Sequence, residues 1–553
     1  MTIAVDTTRG TGSAFTTRTF QQIHAALLER KELALLDVRE EAPFAEAHPL
    51  FAANLPLGRI ELEAYARIPR RDISIVVYDD GEGLALTAAQ RLRKLGYGTV
   101  HLLAGGLQGW RDAGGEIFRD VNAPSKAFGE LVESKRHTPS LSAPEVKALL
   151  DADADVVVLD ARRFEEYNTM SIPGGISVPG AELVLRVRAL APRPETRVIV
   201  NCAGRTRSII GSQSLINAGI PNPVSALRNG TIGWTLAGQH LEQGKTRRYS
   251  DHPQDPAGNE HRAQAVAAGR QVADRAKVGR ADLAALARWQ CEPGRTTYRL
   301  DVRAPEEYAA GHLPGFSSAP GGQLVQETDH VAPVRGARIV LVDDDGVRAN
   351  MTASWLAHMG WEVHVLDGLR SENFSETGNP AQVLPPAPPY ESVTAQQLWQ
   401  WLQGTSDASD ASDKQDTVLL DFTSSANYVK RHTTGARFAL RSQLAAILQQ
   451  TATAKRYVLT CGSSLLAGYA AGDVRQLTSQ PVFVLEGGTA AWIAAGLPLE
   501  AGETAMASPR IDRYRRPYEG TDNPVAAMQA YLDWEYGLVA QLAADGSHGF
   551  FVI

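Results

Sequence analysis

Two of the three cysteines in this 553-residue chain end an apolar, β-branched run and open a short loop before a helical pattern. Cys202 lies in VIVNCAGRTRS and Cys461 in RYVLTCGSSLLAG. Backbone N–H groups in a loop that turns from strand into helix converge on a point, and with the positive helix end they favour an anion there. A thiol at that point is expected to have a lowered pKa and to stand exposed as a nucleophile. Arg205 and Arg207 add positive charge beside Cys202, and Gly204 lets the backbone curl. Such a cradle suits attack on a sulfur–sulfur bond. The thiolate would take the outer sulfur of a small oxyanion donor such as thiosulfate, and sulfite would leave. The cradle would hold the anionic persulfide until a thiol or cyanide accepts the sulfur. This is two-step covalent chemistry and predicts ping-pong kinetics.

The elements that must position these cysteines occur four times. LALLDVREEAPFAEAH around Asp37, VVVLDARRFEEYNTMSIPG around Asp160 and TYRLDVRAPEEYAAGHLPG around Asp301 resemble one another, and VLLDFTSSANYVKRHTTGA around Asp421 follows more weakly. Each is an apolar strand ending in Asp, followed by a short helical segment with an aromatic residue. A second strand follows each and ends at Asp79, Cys202, Asp343 or Cys461. From Asp37 to Asp79, Asp160 to Cys202 and Asp301 to Asp343 the separation is 42 residues, and from Asp421 to Cys461 it is 40. A third strand closes each copy, in VHLLAGGLQGW, VSALRNGTIGW, VHVLDGLRSEN and VFVLEGGTAAW. Helix-compatible stretches lie between the strands, which indicates βαβ units and a parallel sheet buried on both faces. Ligands of such sheets bind at the carboxyl ends of strands, where both cysteines sit.

Composition fits several soluble domains. A prior of roughly 150 residues per domain gives three to four. Apolar residues are 44% and charged residues 21%, with a net charge of −7 spread along the chain, which lacks the basic footprint of nucleic-acid binding. No apolar run approaches a membrane span, and MTIAVDTTRGTGSAFTT has no signal-peptide pattern. Three cysteines fit a reducing compartment, so the expected location is the cytoplasm, with no membrane and no nucleic acid as partner. The repeats divide the chain into units at 1–120, 138–245, 275–375 and 390–502, with a tail at 503–553. Between them run FRDVNAPSKAFGELVESKRHTPS, GKTRRYSDHPQDPAGNEHRAQ and the proline-rich, stiff ETGNPAQVLPPAPPYES, while GTSDASDASDK reads as a solvated loop. The aromatic, helix-like tail is expected to pack on a neighbouring unit.

The whole pattern resembles the rhodanese superfamily: strand-Asp-x-Arg, EEY, GHLPG, the cysteine loop and EGGTAAW. The resemblance implies an α/β chain of four tandem rhodanese-like domains, each a small doubly wound parallel sheet with helices on both faces. It implies a sulfurtransferase that carries a persulfide and needs no cofactor or metal. Its partners would be a small sulfur donor, thiosulfate or a persulfide, and a thiol, cyanide or protein acceptor. Carried over, Cys202 and Cys461 are the persulfide-forming nucleophiles. Ala203, Gly204, Arg205, Thr206 and Arg207 form one substrate cradle, and Gly462, Ser463, Ser464, Leu465 and Leu466 the other. Unit two departs from the pattern with Ser171 where unit three keeps His312, and unit three has lost the third-strand Gly-Gly and Trp. The second cradle has no cation, so Cys202 ranks above Cys461.

Plainer readings apply elsewhere. Cys291, in RWQCEPGR, has no cradle and reads as a packed residue. Asp79 and Asp343 replace the cysteine in units one and three and read as helix caps. The DDDG at Asp343 reads as solvated acids rather than a metal site. Asp37, Asp160, Asp301 and Asp421 recur in all four units, which argues for fold maintenance. Arg162 and Arg303 pair with nearby acids or approach the site, and Arg228 lines the mouth or lies in solvent. The order of silent and cysteine-bearing units suggests pairing of one with two and three with four, with each cysteine loop facing its silent partner. Two rival functions stand beside the main one: a persulfide carrier or scaffold without turnover, and a cysteine phosphatase or arsenate reductase. The second is disfavoured because the spacing from Cys202 to Arg207 is one residue shorter than in those enzymes, with Ser208 at the next position.

Overall fold

A computed structural model describes residues 15–249, 258–403 and 416–553. The GTSDASDASDK stretch and the first fourteen residues lie outside the described residues, as does part of the second inter-unit segment. The chain folds into four α/β units, each built on a mainly parallel sheet flanked by helices.

Unit two shows the plan. Its sheet runs Ser140–Leu141, Val224–Leu227, Arg197–Asn201, Val156–Asp160, Ile176–Ser177, all parallel. Arg197–Asn201 is central, so the residue after it, Cys202, emerges at the carboxyl edge of the sheet. The equivalent strands Ser74–Tyr78, Arg338–Val342 and Arg456–Thr460 are central in the other units and deliver Asp79, Asp343 and Cys461 to the same place. These strands are nearly all buried, which their unbroken apolar runs require.

The first-strand aspartates maintain this edge. Asp160 lies beside Asn201 in the register, accepts from Asn201 Nδ2 at 2.7 Å, and takes a two-pronged ion pair from Arg162. Asp37 with Arg39 and Asp301 with Arg303 repeat the pair, fully buried. Asp421 has no such arginine. It accepts instead from the Thr423 amide, and burial raises its pKa.

The third-strand glycines have a steric cause. Gly230 has φ of +54°, and a β-carbon there would stand 2.3 Å from the Cys202 carbonyl oxygen. That carbonyl accepts from the Thr231 amide at 2.9 Å. Gly488 and Thr489 repeat the arrangement over the Cys461 carbonyl. Only glycine lets the turn sit on the cysteine loop.

The units do not pair as their order suggests. Unit one packs on unit four: Arg441 bridges Glu61 and Asp473, and Arg91 reaches Asp473. Unit two packs on unit three, with Gly180 against Gly322, Arg348 bonded to Glu182 and Trp355 donating to Ser214. Each cysteine-bearing unit thus meets a silent one, but the pairs are one with four and two with three rather than one with two and three with four. Surface chemistry, which repeat order does not encode, sets the choice. Units one and three also join, because Val334–Arg335 of unit three adds an antiparallel strand to the sheet of unit one at Leu33 and Ala34.

The connecting segments are structural. The first forms a buried helix, Ala123–Arg136, and the second contributes Gly258–Arg275. The proline-rich segment has no regular structure over 379–390, where it lies along a unit-four helix with Pro388 against Gly472 and Tyr390 against Gly468, and it then enters the strand Glu391–Val393. The tail packs on more than one unit. Asp512 accepts from Ser425 in unit four, Tyr514 donates to Glu41 in unit one, and the helix Val525–Asp545 lies on unit two. Phe551 donates to the His358 carbonyl in unit three.

Candidate active site

The Cys202 loop runs from the end of the central strand to the helix Thr206–Asn217. Ser208, at the start of that helix, turns its amide toward the sulfur and accepts the thiol on Oγ at 3.4 Å, while its own hydroxyl donates to the Arg205 carbonyl at 2.9 Å. The expectation of an exposed, acidified thiol fails here. Cys202 is only 1% exposed, and burial pushes its pKa up, against the opposing pull of Arg207 and Ser208.

The cover comes from the tail. Ala203 is buried in a cluster with Tyr518, Met528, Tyr531 and Leu532. A β-carbon on Gly204 would stand 3.1 Å from the Tyr531 ring and 3.3 Å from Glu535 Oε2. Thr206 Oγ1 lies 3.5 Å from Glu535 Oε1.

Nor are the two arginines free to attract a donor. Arg205 is buried, donates to both Glu130 oxygens at 2.7 and 2.8 Å, bonds Glu133, and lies under the Tyr536 ring. Arg207 forms a two-pronged pair with Glu166 at 2.7 and 2.8 Å. Each guanidinium is matched by carboxylate before any ligand arrives. The charge argument for placing Cys202 above Cys461 therefore loses its ground.

The unit-four loop is open. Cys461 is 5% exposed, but Gly462, Ser463 and Leu465 beside it are exposed and Leu466 is half-buried. Ser464 takes a left-handed conformation with φ of +70° and anchors its hydroxyl on the Leu485 carbonyl at 2.6 Å. Cys461 lies at the foot of a short loop that faces solvent.

In the silent units the same loop holds a carboxylate. Asp79 accepts from the amides of Gly81, Leu84 and Ala85. Asp343 accepts from Gly346 at 3.1 Å and Ala349 at 2.8 Å. Ala85, Ala349 and Ser208 each stand six residues past the strand-end residue of their unit. The loop amide that points at the Cys202 sulfur is thus the one that binds an anion in units one and three.

Comparison with known proteins fits this geometry. The family model of the rhodanese-like domain matches residues 20–113, 142–237, 284–369 and 405–495. The chain belongs to the rhodanese family. The rhodanese chain is similar to a crystal structure of thiosulfate sulfurtransferase from Pseudomonas aeruginosa, 68% identical, covering 98% of this chain and 100% of that one with a TM-score of 0.94. It is also similar to thiosulfate sulfurtransferase from Azotobacter vinelandii, 30% identical over 207 residues, which is 33% of this chain and 74% of that protein.

The remaining sequence-selected residues of this rhodanese fall outside the two loops. Arg162 and Arg303 serve the aspartate pairs, and Arg228 is exposed and bonds Ser140. Asp79 and Asp343 cap helices as expected. Cys291 is exposed at the end of a short helix rather than packed. Among the described residues no group of three or more His, Cys, Asp or Glu side chains could hold a metal, and no helix is long and apolar enough to cross a membrane. Sequence reasoning missed Ser208 and Glu166, although both lie inside quoted motifs. It also missed Glu130, Tyr531 and Glu535, whose distance along the chain gives no signal.

Proposed function

We infer that this rhodanese is an enzyme, a sulfurtransferase that takes sulfane sulfur from thiosulfate or a related donor onto a cysteine and passes it to a thiol or cyanide. The class rests on family membership and on the Pseudomonas relative that matches nearly the full chain. The persulfide route rests on one observation. The loop amides that hold a carboxylate at Asp79 and Asp343 have a sulfur in front of them at Cys202. A loop shaped for an anion favours a sulfur that becomes one.

Cys461 is the ready nucleophile. Its thiolate attacks the outer sulfur of thiosulfate, the sulfur–sulfur bond breaks, and the electron pair leaves with sulfite. The persulfide anion remains under the amides of Gly462 to Leu466. An acceptor thiolate or cyanide then attacks the outer sulfur and returns the cysteine. Cys202 carries the same chemistry once its cover moves, with Ala203 to Arg207 as its cradle. The cover favours a second role there, storage of sulfur with slow turnover, which is the carrier reading confined to one unit. The pairing of Arg207 with Glu166 argues against a phosphatase, which needs that arginine for the substrate.

The test is intact-mass analysis after thiosulfate treatment of the full chain and of Cys202→Ser, Cys461→Ser and the double variant. Each competent cysteine gains one sulfur atom, and cyanide removes it. Absence of any gain in the unsubstituted protein would falsify the reading.

A further inference from the structure

The tail helix carries a carboxyl group that the sulfur transfer described above does not use. Glu535 is fully buried. Its Oε1 accepts the Tyr531 hydroxyl at 2.8 Å and lies 3.5 Å from Thr206 Oγ1. Its Oε2 is buried without a hydrogen-bond partner among the described residues and stands 3.3 Å from the place a Gly204 β-carbon would take, two residues past Cys202. An ionised carboxylate is tolerated in a dry site only when donors satisfy both oxygens. Here one oxygen meets none. The group therefore keeps its proton, and the proton belongs on Oε2, the oxygen turned to the Cys202 loop.

The charged neighbours agree. The helix Ala123–Arg136 presents Glu130 and Lys126, the cysteine loop presents Arg205, and the tail helix itself presents Tyr531. Lys126 is committed to Asp120 at 2.7 Å and Arg205 to Glu130. Burial, with Glu130, pushes the Glu535 pKa up to about 8, although Lys126, Tyr531 and Arg205 pull the other way. An ionised Glu535 would also raise the pKa of Cys202.

We propose that Glu535, supplied by a helix outside the four rhodanese domains, donates a hydrogen bond from Oε2–H to the sulfur carried on Cys202. With the Ser208 amide it makes a dry, two-donor site for a persulfide anion. The proposal rests on the reading that Cys202 accepts sulfur. In that loading step the thiol and thiosulfate give the Cys202 persulfide anion and hydrogen sulfite. The Sγ–sulfur bond forms, the sulfur–sulfonate bond breaks, and the thiol proton leaves with sulfite. Loading needs the tail helix away from Gly204, and Glu535 acts when it returns. A neutral carboxyl stabilises the anion, and an ionised one repels it.

The experiment uses the full chain with Cys291→Ser and Cys461→Ser, loaded with thiosulfate, and follows loss of the added sulfur by intact mass. In this parent the persulfide lifetime is expected to shorten as pH rises through about 8, as Glu535 ionises. Glu535→Gln, which keeps a neutral donor and the side-chain shape, should retain the neutral-pH lifetime and lose the pH dependence. Glu535→Leu should shorten the lifetime roughly tenfold, the scale of one hydrogen bond to a charged group. A glutamine variant with the parent's pH profile, or a leucine variant with the parent's lifetime, overturns the proposal while leaving Cys202 a sulfur acceptor. A parent that takes up no sulfur at Cys202 overturns the functional reading and this proposal together.

Discussion

The Tyr531 ring lies against Gly204, 3.1 Å from where a β-carbon would stand. A helix that begins more than three hundred residues later in the chain thereby rests on the backbone beside Cys202. Adding one methyl group at Gly204 should lift it. Gly204→Ala is expected to speed alkylation of Cys202 by iodoacetamide and to lower global stability by roughly 1–2 kcal/mol. An unchanged alkylation rate would show that the helix does not limit access to the sulfur.

The three cysteines should react in an order set by cover. Cys291 is exposed, the Cys461 loop faces solvent, and Cys202 is sealed with its pKa raised by burial. Peptide mapping during alkylation at neutral pH should find Cys202 modified last. Early labelling of Cys202 would contradict the cover.

The Glu166–Arg207 pair gives a pH signature. Arg207 holds Glu166 down at about 2 despite the upward push of burial. A lowered carboxyl pKa contributes stability that is fully present above the unfolded value near 4.5 and is lost as pH falls toward about 2. Glu166→Gln should therefore cost roughly 1–3 kcal/mol at neutral pH, and the gap to the parent protein should close across that acidic window. Denaturant titrations at several pH values measure this; a gap that persists at the acid end speaks against it.

Arg441 is the buried joint between units one and four, bonded to Glu61 and Asp473. Replacing it by alanine strips Glu61 of its two-pronged partner, while Asp473 keeps Arg91, at a cost of about 3 kcal/mol. Arg441→Ala should lower the unfolding temperature and separate a unit-four transition in calorimetry. A single transition at the original temperature would mean that the joint carries little.

Much of the fold was legible because it is local. The β-branched runs, the spacing from Asp160 to Cys202 and the glycine of Asn229–Gly230 are each dictated within one βαβ unit, and each stands where the repeats indicate. The aspartate–arginine pairs were legible for the same reason, two residues apart on one strand end. The state of the site was not. Arg205 and Arg207 read as free charge because Glu130 and Glu166 reach them only through the fold. Cys202 read as exposed because its cover, Tyr531, comes from the far end of the chain. Unit pairing was misread because duplicated sequences share a core pattern but diverge on their surfaces, where Arg441 and Arg348 choose partners.

Val334–Arg335 of unit three completes the sheet of unit one at Leu33 and Ala34. A strand margin stripped of its neighbour offers bare peptide groups to any other chain. Excising the third repeat would therefore leave the first with an adhesive flank, and expressing the first alone would invite clumping. The four copies are not interchangeable beads on a string. They stand or fall together, and trimming the array to isolate one reactive loop would change the object being measured.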